Sequence, residues 1–179
     1  MKVIDILNNT DKPVFSFELV PPLKGGDINK IYEAIEPLIA LAPPFINITF
    51  HRDEVVYREY PDGTIKKVTV TKRPGSVALA AAIMRRYNVD MVPHIVCGGA
   101  TRHKIENELI DLNFLDIENV MALRGDPIPG ERFFTPEEGG HRYSCELVEQ
   151  ITRMNHGQYL DDTLTDTVPT NFCIGVAGY

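Results

Sequence analysis

Alternating strand-like and helix-like segments predict an α/β fold built on a parallel sheet, since parallel strands need crossover connections. A second observation points the same way. The strand-like runs end near polar groups: Glu18, Thr49, His94, the Arg124-Gly125-Asp126 turn and finally Tyr179. In parallel β/α folds the ligand lies at that carboxyl edge of the sheet. A third narrows the class. The chain has no Gly-x-Gly-x-x-Gly fingerprint and no Walker loop, so neither the dinucleotide-binding nor the P-loop variant has support.

Val14–Val20 reads as the first strand, closed by Pro21-Pro22. Asp27 is a good N-cap, and Ile28, Ile31, Ile35, Leu38 and Ala42 follow at helical spacing. Pro37 should kink or shorten that helix. Phe45–Phe50 is the second strand. Residues 51–75 are charged, with a Pro61-Asp62-Gly63 turn, and predict a hairpin arm of 55–58 with 64–71. The arm reads as an insertion, not a core element. Ser76 caps a helix through Tyr87, and Met91–Cys97 is the third strand. Gly98-Gly99-Ala100 turns into a helix capped by Thr101, with Ile105, Leu109 and Leu112 on one stripe. Asn119–Arg124 is the fourth strand, and 125–143 a Pro/Gly-rich loop. Ser144 is expected to cap the next helix, with Leu147, Val148, Ile151 and Met154 inward. Phe172–Tyr179 is the last strand.

Composition excludes several function classes. Hydrophobic residues make up 44% and charged residues 24% of the 179 positions, which argues against disorder. A net charge of −7 without a Lys/Arg block argues against nucleic acid as a partner. The longest apolar run, Val77–Met84, falls far short of a membrane span, and residues 1–10 lack the apolar stretch of a secretory signal. Cys97, Cys145 and Cys173 show no zinc spacing and cannot all pair. They read as reduced thiols, which places the chain in a cytoplasmic, reducing compartment, and no metal site is expected.

Glu18 alternates with Phe15, Phe17 and Leu19 and so faces away from the aromatics. Burial there would push a carboxyl toward general-acid range; an edge-strand acid facing water is the alternative. His94 reads either as a satisfied core histidine or as a ligand contact, and Thr49 alone is a good strand residue. Arg124-Gly125-Asp126-Pro127 is more informative, because cation, close-approach backbone and anion fall within one turn. Gly98-Gly99 before a helix reads as a phosphate cradle or merely a tight turn.

Taken together, Phe15–Pro22, Ile46–Phe50, Val92–Cys97, Ala122–Pro127, Tyr143–Val148 and Ile174–Tyr179 resemble the methylenetetrahydrofolate reductase family, in the family's order and over nearly the whole chain. The resemblance implies a (β/α)8 TIM-barrel type fold with FAD at the carboxyl ends of the strands. NADH or NADPH delivers hydride to the flavin and leaves. 5,10-Methylenetetrahydrofolate then opens to a 5-iminium cation and is reduced to 5-methyltetrahydrofolate. On this resemblance Glu18 is the general acid and Asp126 the carboxylate that supports the cation and tunes the flavin. Thr49, His94, Arg124, Gly125, Asp126, Tyr143 and Tyr179 match cofactor-binding positions, and Ser144 matches one less strictly.

Two departures qualify the resemblance. Segment 51–75 is longer than the family pattern. The family's segments beyond Val-Ala-Gly-Tyr are also absent, so residues 1–179 are expected to form the N-terminal part of a single FAD-binding barrel, about four and a half β/α units. A barrel usually needs about 250 residues. An unclosed sheet has open edges, so a homo-oligomer is among the expected partners, besides folate and the nicotinamide cofactor. Two readings stand against an active enzyme of this kind: a non-catalytic fragment or association module that does not hold FAD, and a different flavin barrel of the proline dehydrogenase type.

Overall fold

The fold was analysed in a computed structural model, which describes residues 1–128 and 131–178. Helix α1 (Val3–Asn8) leads into β1 (Phe17–Leu19), α2 (Ile28–Ile39) and β2 (Phe45–Ile48). The hairpin β3 (Glu54–Glu59) and β4 (Ile65–Val70) follows. Then come α3 (Ser76–Tyr87), β5 (Asp90–Val96), α4 (Arg102–Phe114), β6 (Asn119–Leu123), α5 (Ser144–Met154) and β7 (Cys173–Val176).

Five strands form one parallel sheet in the order β1-β2-β5-β6-β7, and β3-β4 form a separate antiparallel pair. The order decides between α/β architectures. A doubly wound sheet reverses its strand order at a switch point. Here each new strand adds to the same edge, and right-handed crossovers then keep the helices on one side. That is the winding of a (β/α) barrel, and the five strands are an incomplete turn of one.

The two faces of the sheet follow from its pleat and register. Ile46, Ile48, Met91, Ile95, Val120 and Ala122 lie on the outer face. They are buried with Ile35, Leu79, Ile83, Ile105, Leu109, Leu147 and Ile151 of the helices. The inner face carries Glu18, Asn47, Val92, His94 and Met121, since Glu18 pairs with Asn47, Asn47 with Val92, and His94 with Met121. Toward the amino ends of the strands this face borders an apolar hollow of about 580 Å³ lined by Phe45, Val92, Met121 and Ile174. Helix α1, which sequence pattern did not predict, lines the same hollow with Val3, Ile4 and Leu7. It is tied to β6 by Asn119, whose side chain accepts from Val3 N (2.8 Å) and donates to Met1 O (2.9 Å).

Most expected elements appear near their expected bounds, and the caps Asp27 and Thr101 accept from Asn29 N and Lys104 N. Three differ. The first strand is three residues, not seven, and the last stops at Val176. Ser144 is the first helical residue of α5, and Tyr143 holds the N-cap position. Glu146 does the capping instead. Its carboxylate accepts the backbone N–H of Arg142 (2.6 Å) and of Tyr143 (3.2 Å), and these bonds lower its pKa. Pro37 is accommodated inside α2. No helix among the described residues is long and apolar enough to cross a membrane.

Candidate active site at the carboxyl edge of the sheet

The expected residues converge on one edge. Glu18 from β1 and His94 from β5 share the inner face, with Glu18 Oε2 3.8 Å from His94 Nε2. That is beyond hydrogen-bond length. The His94 side chain is only 7% exposed, while that of Glu18 is 58% exposed. Burial lowers the pKa of His94, opposed by the negative charge of Glu18, so the imidazole is neutral at neutral pH. The burial that would make Glu18 a strong general-acid candidate is not supplied by the surrounding described residues, because β1 is an edge strand with a single partner.

Level with Glu18 on the neighbouring strand lies Asn47, which the sequence pattern did not single out. Its Nδ2 donates to Ser16 Oγ (3.4 Å), while its Oδ1 is buried without a hydrogen-bond partner. His94 Nε2 is likewise buried and unpartnered. Each such atom costs roughly 1–3 kcal/mol unless something bonds to it. The signal for Asn47 was present in the alternation Ile46-Asn47-Ile48, which sends a polar side chain to the face opposite two core isoleucines. Thr49 follows directly. Its N–H and hydroxyl both donate to Leu19 O (2.9 and 3.3 Å), and the hydroxyl also meets His51 Nε2 at 3.2 Å. Thr49 thereby ties the end of β2 to the end of β1.

The Arg124-Gly125-Asp126 turn follows β6. Cys97 N donates to Leu123 O (3.0 Å) and Gly98 N to Arg124 O (3.2 Å), extending the β5–β6 pairing into the turn. Gly125 has φ +86°, and a Cβ there would lie 2.6 Å from Val96 Cγ1. Glycine is therefore required both by the left-handed backbone and by the close approach of β5. Arg124 stacks over Phe134 with its guanidinium carbon 5.6 Å from the ring centroid, and Asp126 is exposed.

The Gly98-Gly99 turn is not an open cradle. A Cβ on Gly98 would sit 3.3 Å from both Arg52 Nη1 and Phe134 Cε2, so the chain's own side chains cover it. Tyr143 and Ser144 sit at the start of α5, where Cys97 Sγ donates to Tyr143 O at 3.7 Å. Behind that turn His141 Nε2 meets Gln150 Oε1 (2.5 Å), and Gln150 Nε2 donates to Arg102 O (3.0 Å). This buried network locks the loop onto α4. Burial pushes the Cys97 thiol up to about 11, which disfavours the thiolate that a nucleophile needs. Tyr179 lies outside the described residues.

A family model described as methylenetetrahydrofolate reductase matches residues 2–179. The chain belongs to the methylenetetrahydrofolate reductase family. It is 28% identical over 182 residues to methylenetetrahydrofolate reductase (NADH) 1 of Arabidopsis thaliana, covering 100% of this chain and 26% of the relative. It is 29% identical over 183 residues to methylenetetrahydrofolate reductase 1 of Schizosaccharomyces pombe, covering 100% of this chain and 25% of the relative. It is 24% identical over 138 residues to 5,10-methylenetetrahydrofolate reductase of Pectobacterium carotovorum, covering 76% of this chain and 38% of the relative. The chain thus spans about a quarter of the length of the eukaryotic relatives. Membership of the methylenetetrahydrofolate reductase family accords with the monotonic parallel sheet.

Proposed function

We propose that this chain carries the flavin- and folate-facing residues of an enzyme that reduces 5,10-methylenetetrahydrofolate to 5-methyltetrahydrofolate with NADH or NADPH. The observation that carries the reading is the inner-face group of Glu18, Asn47 and His94, with Asn47 level with Glu18 and His94 one inward step nearer the carboxyl edge, and with two buried polar atoms, Asn47 Oδ1 and His94 Nε2, left without protein partners. Such atoms suit the polar edge of a flat ring system. Gly125, closed against Val96 of β5, sets the turn that puts Arg124 and Asp126 on either side of the strand end. These residues fit FAD, which when bound supplies a two-electron carrier between the nicotinamide and the folate.

The chain's own groups then divide the work. His94 and Asn47 offer hydrogen bonds from the floor of the site, and Thr49, Arg124, Gly125, Tyr143 and Ser144 form its edge. Arg124 is positioned by Phe134. Asp126 holds negative charge where the opened folate becomes cationic. Glu18 supplies the proton that releases the ring nitrogen, and the neutral His94 beside it accepts or donates at Nε2 without adding a competing charge. Relatives are named for both reductants, NADH in Arabidopsis thaliana and NADPH in Caenorhabditis elegans, and the reading accommodates either nicotinamide.

The test uses the full-length protein. It should purify yellow with stoichiometric FAD. Glu18→Gln should lower folate reduction by roughly 10²–10⁴-fold, the usual contribution of a general acid, while flavin reduction by the nicotinamide persists. A colourless protein that does not take up FAD would favour the non-catalytic reading. A Glu18→Gln variant with undiminished folate reduction would remove Glu18 from the mechanism.

A further inference from the structure

We propose that the base of the β3–β4 arm is a brace across the mouth of the site, with Arg52 as a positioning residue for the Asp126 turn. Its functional part rests on the reading of Glu18 and Asp126 given above. Arg52 lies two residues before β3 and reaches back over the sheet edge. Its Nη1 donates to Asp126 O at 3.3 Å, and its Nη2 is 3.8 Å from Glu137 Oε1. The same guanidinium lies against Gly98, and Arg52 Cβ lies 3.5 Å from the position a Cβ would take on Gly99. One side chain, 18% exposed, therefore touches the segments that follow β5 and β6 and the 131–143 stretch.

The other root of the arm is fastened to the loop after β1. Lys24 N donates to Lys72 O at 2.8 Å, and Arg73 Nη1 donates to Pro21 O. Strands β1 and β6 are not neighbours, because β2 and β5 stand between them. The two roots of the arm thus connect the two loops that follow the candidate carboxylates, Glu18 and Asp126.

Two features argue that this is the arm's task. No residue of β3 or β4 belongs to the buried core, so the arm does not stabilise the sheet by packing. Arg52 also leaves its Nε buried and unpartnered, a cost that a merely solvated arginine would avoid. A planar fork is suited to holding one carbonyl and one carboxylate at once, which an ammonium cannot do equally well.

The experiment compares the full-length wild type with Arg52→Ala, Arg52→Lys and Arg73→Ala by hydrogen exchange and by steady-state kinetics. In Arg52→Ala the amides of Cys97 and Gly98, which bond to Leu123 O and Arg124 O, should exchange about tenfold faster, the equivalent of one charge-assisted hydrogen bond. The Lys24 amide should stay as in wild type. Arg73→Ala should do the reverse. For folate reduction Arg52→Ala should lower kcat by about tenfold with KM for folate within about twofold, and Arg52→Lys should recover part of the loss. Unchanged exchange at Gly98, or an increase spread evenly over the sheet, would overturn the brace. A kcat equal to wild type would overturn the positioning role. Exchange decides the brace even in protein that lacks flavin, whereas absence of flavin and folate turnover in the wild type would count against the functional reading alone.

Discussion

Replacing Gly125 by alanine tests the geometry of the candidate site most directly. The backbone there sits at φ +86°, and an alanine Cβ would lie 2.6 Å from Val96 Cγ1. Two costs add. Left-handed backbone costs a residue with a Cβ about 1–2 kcal/mol. The overlap must be relieved by moving a β-branched side chain that has one preferred rotamer, at about 1–3 kcal/mol. The sum, about 2–5 kcal/mol, is a large share of the roughly 5–15 kcal/mol that holds a domain together. Urea unfolding followed by far-ultraviolet circular dichroism measures it. The two costs separate in a double-mutant cycle. Val96→Ala removes Cγ1, so Gly125→Ala made in that background should cost only the backbone share, giving a coupling of about 1–3 kcal/mol. A destabilisation below about 0.5 kcal/mol would place the substitution among neutral surface changes and refute the close approach. Absence of coupling would refute the part played by Val96.

Three other outcomes are expected. Burial raises the Glu108 carboxyl from its ordinary value of 4.5 to about 6, opposed by nearby Lys104. The folded state then holds the proton more tightly, so stability is lost as pH rises from about 4.5 to 6, by about 2 kcal/mol. Glu108→Gln should remove that loss, and equal wild-type and variant urea midpoints at both pH 4.5 and pH 7.5 would contradict it. Glu146 is the opposite case, with its pKa lowered first by the Arg142 N–H and then by that of Tyr143. Its stabilisation is present above the ordinary carboxylate value and lost as pH falls through the depressed one. The melting-temperature gap between wild type and Glu146→Ala should therefore close in acid; a gap independent of pH would argue against the capping role. Finally, Cys97, buried with its thiol near 11, should label with a maleimide at pH 7.5 far more slowly than exposed Cys145, as peptide mapping would show.

The legible part of the fold was the part governed by local patterning. Asp27 and Thr101 precede helical stripes and cap them, and β5 and β6 end within a residue of their expected ends. The misses have non-local causes. β1 is short because its partner β2 begins at Phe45, and pairing starts at Phe17 with Ile46; residues 14 and 15 lie beyond the start of that partner. Ser144 lost the cap position because Glu146, three residues after Tyr143, supplies the acceptor for the free amides. The placement of Glu18 and His94 on one face, and of the Arg124–Asp126 turn at the strand end, was legible because each follows from strand parity or a glycine turn. Arg52 was not, since nothing in a charged stretch shows that one cation returns to a carbonyl 74 positions later. Helix α1 was missed because six residues are too few for a periodic signal, and a side chain of β6 holds it.

The alternation of faces sets how this chain can tolerate changes in length. Glu18, Asn47 and His94 look inward only because each stands an even number of positions from its inward neighbours in the register. One residue gained or lost within β2 would turn Asn47 into the core and bring an isoleucine to the site. The arm shows the contrast. Residues 51–75 enter between a strand end and a helix start, and the register of the sheet is untouched. Changes of length that spare the register are thus confined to the strand-end loops, where side chains such as that of Arg52 reach back over the carboxyl edge.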